Sequence, residues 1–441
     1  MKIKIIEKSY DEVMALPKEK HKKPHRPDIF FRTLMRLFSI PDLKKTSFSL
    51  ERRGMEQLSK GDAALYLVNH SSFIDLEIVA TVLYPRPFNI VTTTDGFIGK
   101  NWLMRMIGCI PTKKFVNDLS LVHDMSYALH ENKSSVILFP EAGYSFDGTA
   151  GALPESLGKC VKLLKVPVVM LKTFGAYHRD PLYNNLQRRK VKVSAVEEFF
   201  LSREDIEAMS CDEINDRIRA EFSFDSFAWQ KENGIKVDQP FRADYLNRVL
   251  YKCPHCLKEG KMRGEGVELK CEACGNGYEL DEYGYLKALD GETKFDHVPA
   301  WYNWQRECVR REIEEKKYKI DIPVDICMTV NTKHLYHVGE GNLLHTGEGF
   351  KLTGCDGALD YEQKPLASYT LNSDFNWYEI GDVISIGNSK ALFYCFPKIA
   401  GDIVAKARLA AEELFKKLSA ELHLKSKECG VMEHCDKKCG K

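Results

Sequence analysis

Short apolar runs recur between residues 47 and 200 with helix-length stretches between them, and this alternation limits the fold more than any other feature of the chain. Candidate strands cover 47–52, 63–69, 88–93, 109–114, 135–140, 166–172 and 190–196, and candidate helices 73–84, 100–107, 118–131 and 154–165. The run Ala63-Ala64-Leu65-Tyr66-Leu67-Val68 does not alternate apolar with polar residues, as expected of a strand covered on both faces. Strand and helix in alternation imply an α/β domain with a largely parallel sheet. With 441 residues, 44% of them apolar, the chain can hold two or three domains and bury a full core.

Directly after that run stands Asn69-His70-Ser71-Ser72-Phe73-Ile74-Asp75. If the helix begins just past His70, the Asp75 carboxylate can reach back to one imidazole nitrogen and leave the other as a base. A capping His and an unrelated surface Asp would give the same pattern, and the spacing alone does not separate the two. Three further blocks follow: Gly108-Cys109-Ile110-Pro111-Thr112-Lys113-Lys114, then Phe139-Pro140-Glu141-Ala142-Gly143-Tyr144-Ser145, then Val166-Pro167-Val168-Val169-Met170. In this order and at these separations, over about residues 25–200, the four blocks resemble the glycerolipid acyltransferase family typified by 1-acylglycerol-3-phosphate acyltransferase.

The resemblance implies acyl transfer from an acyl thioester, on coenzyme A or acyl carrier protein, to the hydroxyl of a lysophospholipid. It makes His70 the general base, oriented by Asp75. The acceptor hydroxyl itself attacks, so no enzyme nucleophile is needed, and helix-start N–H groups at Ser71 and Ser72 are candidate oxyanion donors. Asn69 is expected to order the strand-to-helix turn, Glu141 to hold the acceptor or organise the site, Lys113 or Lys114 to meet its phosphate, and Gly143 to leave room for it, with Ser145 completing the substrate-binding set. The chain departs from the family at two arginine positions, which hold Lys114 and Tyr144. Lysine offers a mobile point charge where arginine offers a planar fork, so the acceptor could also be another lysolipid or a polyol. We take 1-acylglycerol-3-phosphate, because two adjacent cations remain. His123, His130 and His178 read as surface or satisfied residues, and Cys109 and Cys160 as small core residues.

Cys253-Pro254-His255-Cys256 and Cys271-Glu272-Ala273-Cys274 are two Cys-x2-Cys turns separated by 14 residues. Each turn can aim two thiolates at one ion, and the spacing is that of a zinc ribbon over residues 245–295. Four thiolates complete a tetrahedron, so a structural Zn2+ is expected, with His255 outside the ligand set. Such modules often bind nucleic acid, but Lys252, Lys258, Lys261 and Arg263 make only a modest basic patch, and no nucleic-acid partner is expected.

Net charge is +1, which gives no global pull toward a polyanion. Residues 1–60, however, hold 15 Lys and Arg against 8 Asp and Glu. Within them, 28–39 reads as an amphipathic helix ended by Pro41, with Phe30, Leu34, Leu37 and Phe38 on one face and Arg32 and Arg36 beside them. Such a helix suits a membrane interface, although packing on its own domain would leave the same pattern. There is no apolar run of about 18 residues and no signal-like start, and the 14 cysteines are then expected reduced or metal-bound. Together these imply a cytoplasmic chain held peripherally at a membrane.

From residue 320 the composition turns to β, with candidate strands at 323–330, 333–338, 349–353, 366–371, 381–387 and 390–396, a hairpin turn at Gly387-Asn388-Ser389 and a helix over 400–422. This order suggests a small barrel closed by a helix and vaguely resembles a pleckstrin-homology-like domain. The expected domains are 1–240 for acyl transfer with the interface helix, 245–295 for the zinc ribbon, 300–425 for the β-rich region and 426–441 for a Cys-containing tail (Cys429, Cys435, Cys439, with His434). The C-terminal half is a candidate for docking a protein partner. A competing reading makes the chain a binding or regulatory protein that works through this half, with a degenerate acyltransferase domain.

Overall fold

The computed structural model describes residues 3–114, 119–399 and 401–428. The expected Cys-containing tail lies outside them beyond Glu428.

The chain opens with a short strand, β1 (Ile5–Glu7), which joins a sheet formed more than 300 residues later. The first-half sheet follows: β2 (Ser49–Arg53), β3 (Leu65–Val68), β4 (Phe88–Thr93), β5 (Cys109–Thr112), β6 (Ser135–Leu138), β7 (Val168–Phe174) and β8 (Ser194–Leu201). Their order is β2-β8-β7-β3-β6-β4-β5, parallel throughout except for the β7–β8 pair. β3 lies centrally and every residue in it is fully buried, which is why its sequence is an unbroken apolar run. Helices Ile74–Leu83, Asn101–Met106, Leu119–His130 and Leu157–Leu164 fill the connections. The C-terminal ends of β3, β5 and β6 meet on one edge of this sheet, the edge where open α/β sheets hold their ligands.

Four short antiparallel strands then form a small sheet in the order β12-β11-β10-β9: β9 (Met262–Glu265), β10 (Glu268–Cys271), β11 (Gly277–Leu280) and β12 (Leu286–Ala288). Helix Val298–Glu314 leads into β13 (Lys319–Thr329), β14 (Leu335–Thr346), β15 (Gly349–Gly354), β16 (Leu359–Gln363), β17 (Asn372–Trp377), β18 (Gly381–Gly387) and β19 (Leu392–Pro397), followed by the C-terminal helix Ile403–Glu428. These strands run β16-β15-β14-β13-β19-β18-β17, with β1 added in parallel against β14. This is the expected large β-rich region with a terminal helix, but β16 and β17 lie at opposite ends of the path, so hydrogen bonding does not close it into a barrel.

Three sequence expectations need correction. The helix expected over 28–39 runs Ile29–Lys45 with Pro41 inside it. Its second half is anchored by buried Leu43 and by Asp42, which pairs with Arg179, and this packing outweighs the lost proline bond. No strand forms at 366–371. Pro365 starts a 3-10 turn there, since it cannot donate to a ladder, and the strands fall on either side as β16 and β17. The strand expected at 333–338 extends to Thr346 as β14.

The modules also share their interior. One core cluster contains Phe146 and Tyr177 from the first half, Leu269 and Tyr278 from the small sheet, and Ile326, Phe393 and Leu409 from the β-rich region and its helix. No described helix is long and apolar enough to cross a membrane.

Candidate active site

The end of β3 delivers Asn69 and His70 to the sheet edge. Asn69 is buried. Its Nδ2 donates to the carbonyl of Thr173 (3.0 Å) and its Oδ1 accepts from the Thr173 amide (2.7 Å), which fixes the strand exit against β7. The chain then turns into helix Ile74–Leu83. Asp75 is fully buried, and its Oδ2 accepts from His70 Nδ1 at 3.2 Å and from the amides of Ser71 (2.8 Å) and Ser72 (3.0 Å). Because the carboxylate can only accept here, Nδ1 carries the proton and Nε2 is left with its lone pair. Nε2 makes no hydrogen bond among the described residues, and the His70 side chain keeps 21% of its surface.

The same bonds overturn one expectation. The Ser71 and Ser72 amides were candidate oxyanion donors, but both point at Asp75. The Ser72 hydroxyl, in turn, donates to Asp180. Burial raises the Asp180 carboxyl to about 6, against the pull of neighbouring Arg179.

Glu141 follows β6 and is only 1% exposed. Its Oε2 accepts from the amide of His70 at 2.8 Å and its Oε1 from the amide of Gly151 at 2.5 Å. Burial raises this carboxyl to about 7, while the two amides oppose the rise. Of the two roles expected for Glu141, organising the site fits these bonds, because both its oxygens face backbone. Ser145 behaves alike. Its amide donates to the His70 carbonyl (3.2 Å), and its hydroxyl donates to the Thr149 carbonyl (2.6 Å) and accepts from the Gly148 amide (3.0 Å). It is buried and ties the loop together, which corrects its expected place among substrate contacts. Gly143 does leave space, since a Cβ there would meet only Arg408 Nη2, at 3.9 Å. Ala142 holds a left-handed backbone, φ 53°.

The imidazole of His70 lies between two aromatic rings, Phe139 at 4.2 Å and Tyr144 at 4.1 Å between centroids, each tilted by about a third of a right angle. Exposed Phe73 extends the apolar wall, 5.6 Å from Tyr144. The two lysines expected to meet a phosphate leave β5 on the same sheet edge but face the C-terminal half. Lys113 Nζ donates to the Ser389 carbonyl. Lys114 is the main cation opposing the rise of Asp374, a β17 carboxyl that burial pushes up to about 7. Sequence reasoning missed Asp374, Asp180, Thr173 and the ring pair around His70. Only Tyr144 had left a signal, as a departure from the family pattern.

His178 is buried, donates from Nε2 to the Ser226 carbonyl (2.8 Å), and is pushed down to about 4 by burial. His130 meets the Leu164 carbonyl at 2.8 Å. Burial pushes the Cys109 and Cys160 thiols up to about 11, so neither is a ready nucleophile.

In the small sheet's region, Cys253, Cys256, Cys271 and Cys274 converge, with all four sulfurs within 4.8 Å of one another. The pairs Cys253–Cys274 and Cys256–Cys271 each stand 3.7 Å apart. A tetrahedral zinc with Zn–S bonds of about 2.3 Å requires S···S edges of about 3.8 Å, so the four thiols fit the ion. Left-handed Leu257 and Gly275 close the two turns, with the amides of both bonded back to Cys253 and Cys271.

Residues 49–171 match the Acyltransferase family model. A chloroplastic 1-acyl-sn-glycerol-3-phosphate acyltransferase of Brassica napus is 26% identical over 196 residues, 43% of this chain and 54% of that protein. One of Arabidopsis thaliana is 27% identical over 133 residues, 29% of this chain and 36% of that protein. The chain thus spans about half the length of the first of these relatives and about a third of the second. The crystal structure of a 1-acyl-sn-glycerophosphate acyltransferase of Thermotoga maritima is 16% identical and covers 44% of this chain and 80% of its own, with a TM-score of 0.34. Over residues 49–171 the chain carries an acyltransferase-family domain.

Proposed function

We propose that the chain moves an acyl group from an acyl thioester, on coenzyme A or acyl carrier protein, to the free hydroxyl of 1-acylglycerol-3-phosphate. The reading rests above all on the His70–Asp75 pair: Nδ1 is engaged by a buried carboxylate and Nε2 carries no partner among the described residues. As the acceptor oxygen attacks the thioester carbonyl, Nε2 takes its proton. Asp75 stabilises the imidazolium so formed. The tetrahedral intermediate collapses by breaking the C–S bond, and the imidazolium returns the proton to the thiolate. Products are the diacyl lipid and the free thiol.

Lys114, with Lys113 beside it, is the proposed partner of the acceptor phosphate, and the exposed faces of Phe30, Leu37, Phe38 and Trp102 the proposed seat on a membrane. Phe31 and Trp102 touch edge to face at 6.4 Å, which joins helix Ile29–Lys45 to helix Asn101–Met106 in one apolar surface. For the four cysteines we propose one structural Zn2+ per chain. When bound, the ion would stabilise the two Cys turns and supply no open position for chemistry.

The test is thiol release from a long-chain acyl-coenzyme A on adding 1-acylglycerol-3-phosphate. Acceptor-dependent release is expected. Release with other lysolipids alone would move the acceptor assignment, and no release with any lysolipid or donor would overturn the reading.

A further inference from the structure

The loop that carries Glu141 and Tyr144 is held from outside the acyltransferase domain. Arg408, on the C-terminal helix, is 6% exposed, and its Nη1 donates to the Tyr144 carbonyl at 3.1 Å. Its guanidinium carbon sits 4.3 Å from the centre of the Phe146 ring, which itself packs on Phe375 of β17 at 4.4 Å. Tyr369 adds a hydroxyl donated to the Pro140 carbonyl at 3.2 Å. The loop between Pro140 and Phe146 is thus gripped at three points by the C-terminal region.

Arg408 is itself fixed. Its Nε meets Glu412 at 3.4 Å, and Glu412 also accepts from Arg306 (2.7 Å) and the Thr370 hydroxyl (2.7 Å). Although burial opposes it, Arg306 and Arg408 hold the Glu412 carboxyl down at about 2, so the anchor stays ionised over any ordinary pH. A buried arginine with an ionised partner and a carbonyl acceptor has little rotamer freedom left. The chain of contact then runs from Arg408 to the Tyr144 peptide, and from the Tyr144 ring to one face of His70, with Phe139 on the other.

Resting on the acyl-transfer reading, we infer that Arg408 is a positioning residue for the reaction: from the C-terminal helix it sets the Tyr144 peptide so that the Tyr144 and Phe139 rings clamp the imidazole of His70 with Nδ1 on Asp75 and Nε2 toward the acceptor. The C-terminal half is then part of the acyltransferase site. An arginine reaches this loop from residue 408, and position 144 carries the clamp.

The test uses the full-length chain and two readouts. One is the rate at which diethyl pyrocarbonate modifies His70, followed by mass spectrometry without substrate. The other is kcat and KM for thiol release. In Arg408→Ala, His70 modification is expected to rise at least threefold and kcat to fall at least tenfold, with KM within twofold of wild type. Arg310→Ala, which breaks an ion pair with Glu413 on the outer side of the same helix pair (2.8 Å), is the control and leaves both readouts unchanged. If Arg408→Ala does not fold, Arg408→Lys decides, because it keeps a cation beside Glu412 but has no planar fork. A folded variant with wild-type modification rate and wild-type kcat overturns the inference. Where the wild type itself turns over no thioester, the acyl-transfer reading fails by itself, and an unchanged His70 modification rate in the Arg408 variant would overturn the clamp independently.

Discussion

Replacing Asp75 by Asn separates two tasks that the carboxylate performs. An asparagine Oδ1 in the same place can still accept from the Ser71 and Ser72 amides and from His70 Nδ1, so the turn and the tautomer survive. What disappears is the negative charge beside the imidazolium that forms as His70 takes the proton. At the observed 3.2 Å and an effective dielectric constant of about 20, that attraction is worth about 5 kcal/mol. Since about 1.4 kcal/mol is tenfold in rate, kcat should fall by about 10³–10⁴. KM for the acceptor should stay near wild type, because Asp75 is fully buried with both oxygens on protein donors. The assay is initial-rate thiol release with acceptor varied, alongside thermal unfolding to check that Asp75→Asn still folds. A folded Asp75→Asn with kcat within tenfold of wild type would refute the reasoning, since the imidazolium would then need no buried anion.

Burial raises the Asp374 carboxyl to about 7, so the folded protein binds its proton more tightly than the unfolded chain does. The stability this gives is complete below pH 4 and is lost as pH climbs through 7. Asp374→Asn should therefore raise the unfolding midpoint about twice as much at pH 8 as at pH 5.5. The gain is about 2 kcal/mol, half that of a carboxyl sealed completely from water; equal differences at both pH values would contradict this origin. Ala142→Gly relieves a left-handed alanine that costs about 1–2 kcal/mol, and after the extra entropy of an unfolded glycine it should stabilise by up to about 1 kcal/mol in calorimetry. A lower midpoint would show that the alanine methyl contributes packing that outweighs its backbone strain. The wild-type chain should carry one zinc by atomic absorption and Cys256→Ser much less, with faster amide exchange confined to β9–β12 and the two Cys turns. Full zinc content in Cys256→Ser would remove that thiol from the ligand set.

Elements with a single strong cause were legible from sequence. β3 is buried on both faces and reads as an unbroken apolar run, β6 and the start of β7 are mostly apolar, and the His70–Asp75 pair followed from placing a helix start between them. Local causes with weak signatures were misread. β16 and β17 mix polar and apolar residues, and Pro41 looked like a stop until Leu43 and Asp42 anchored the turn beyond it. Backbone bookkeeping at the site was out of reach as well. Whether the Ser71 amide faces a substrate or Asp75 depends on the turn's geometry, which residue types do not specify. Hardest of all were contacts between halves. Arg408 and Tyr144 stand 264 positions apart, and nothing near either one signals the other. For the same reason Lys113 and Lys114 read as free phosphate ligands, whereas the folded chain sets Ser389 and Asp374 opposite them.

The central claim is that His70 is the base of an acyl transfer, and the most direct test compares wild type with His70→Ala in acceptor-dependent thiol release from a long-chain acyl-coenzyme A. The account predicts release by the wild type, rising with 1-acylglycerol-3-phosphate, and a loss of at least 10³-fold in a folded His70→Ala. Equal release by the two proteins would contradict it.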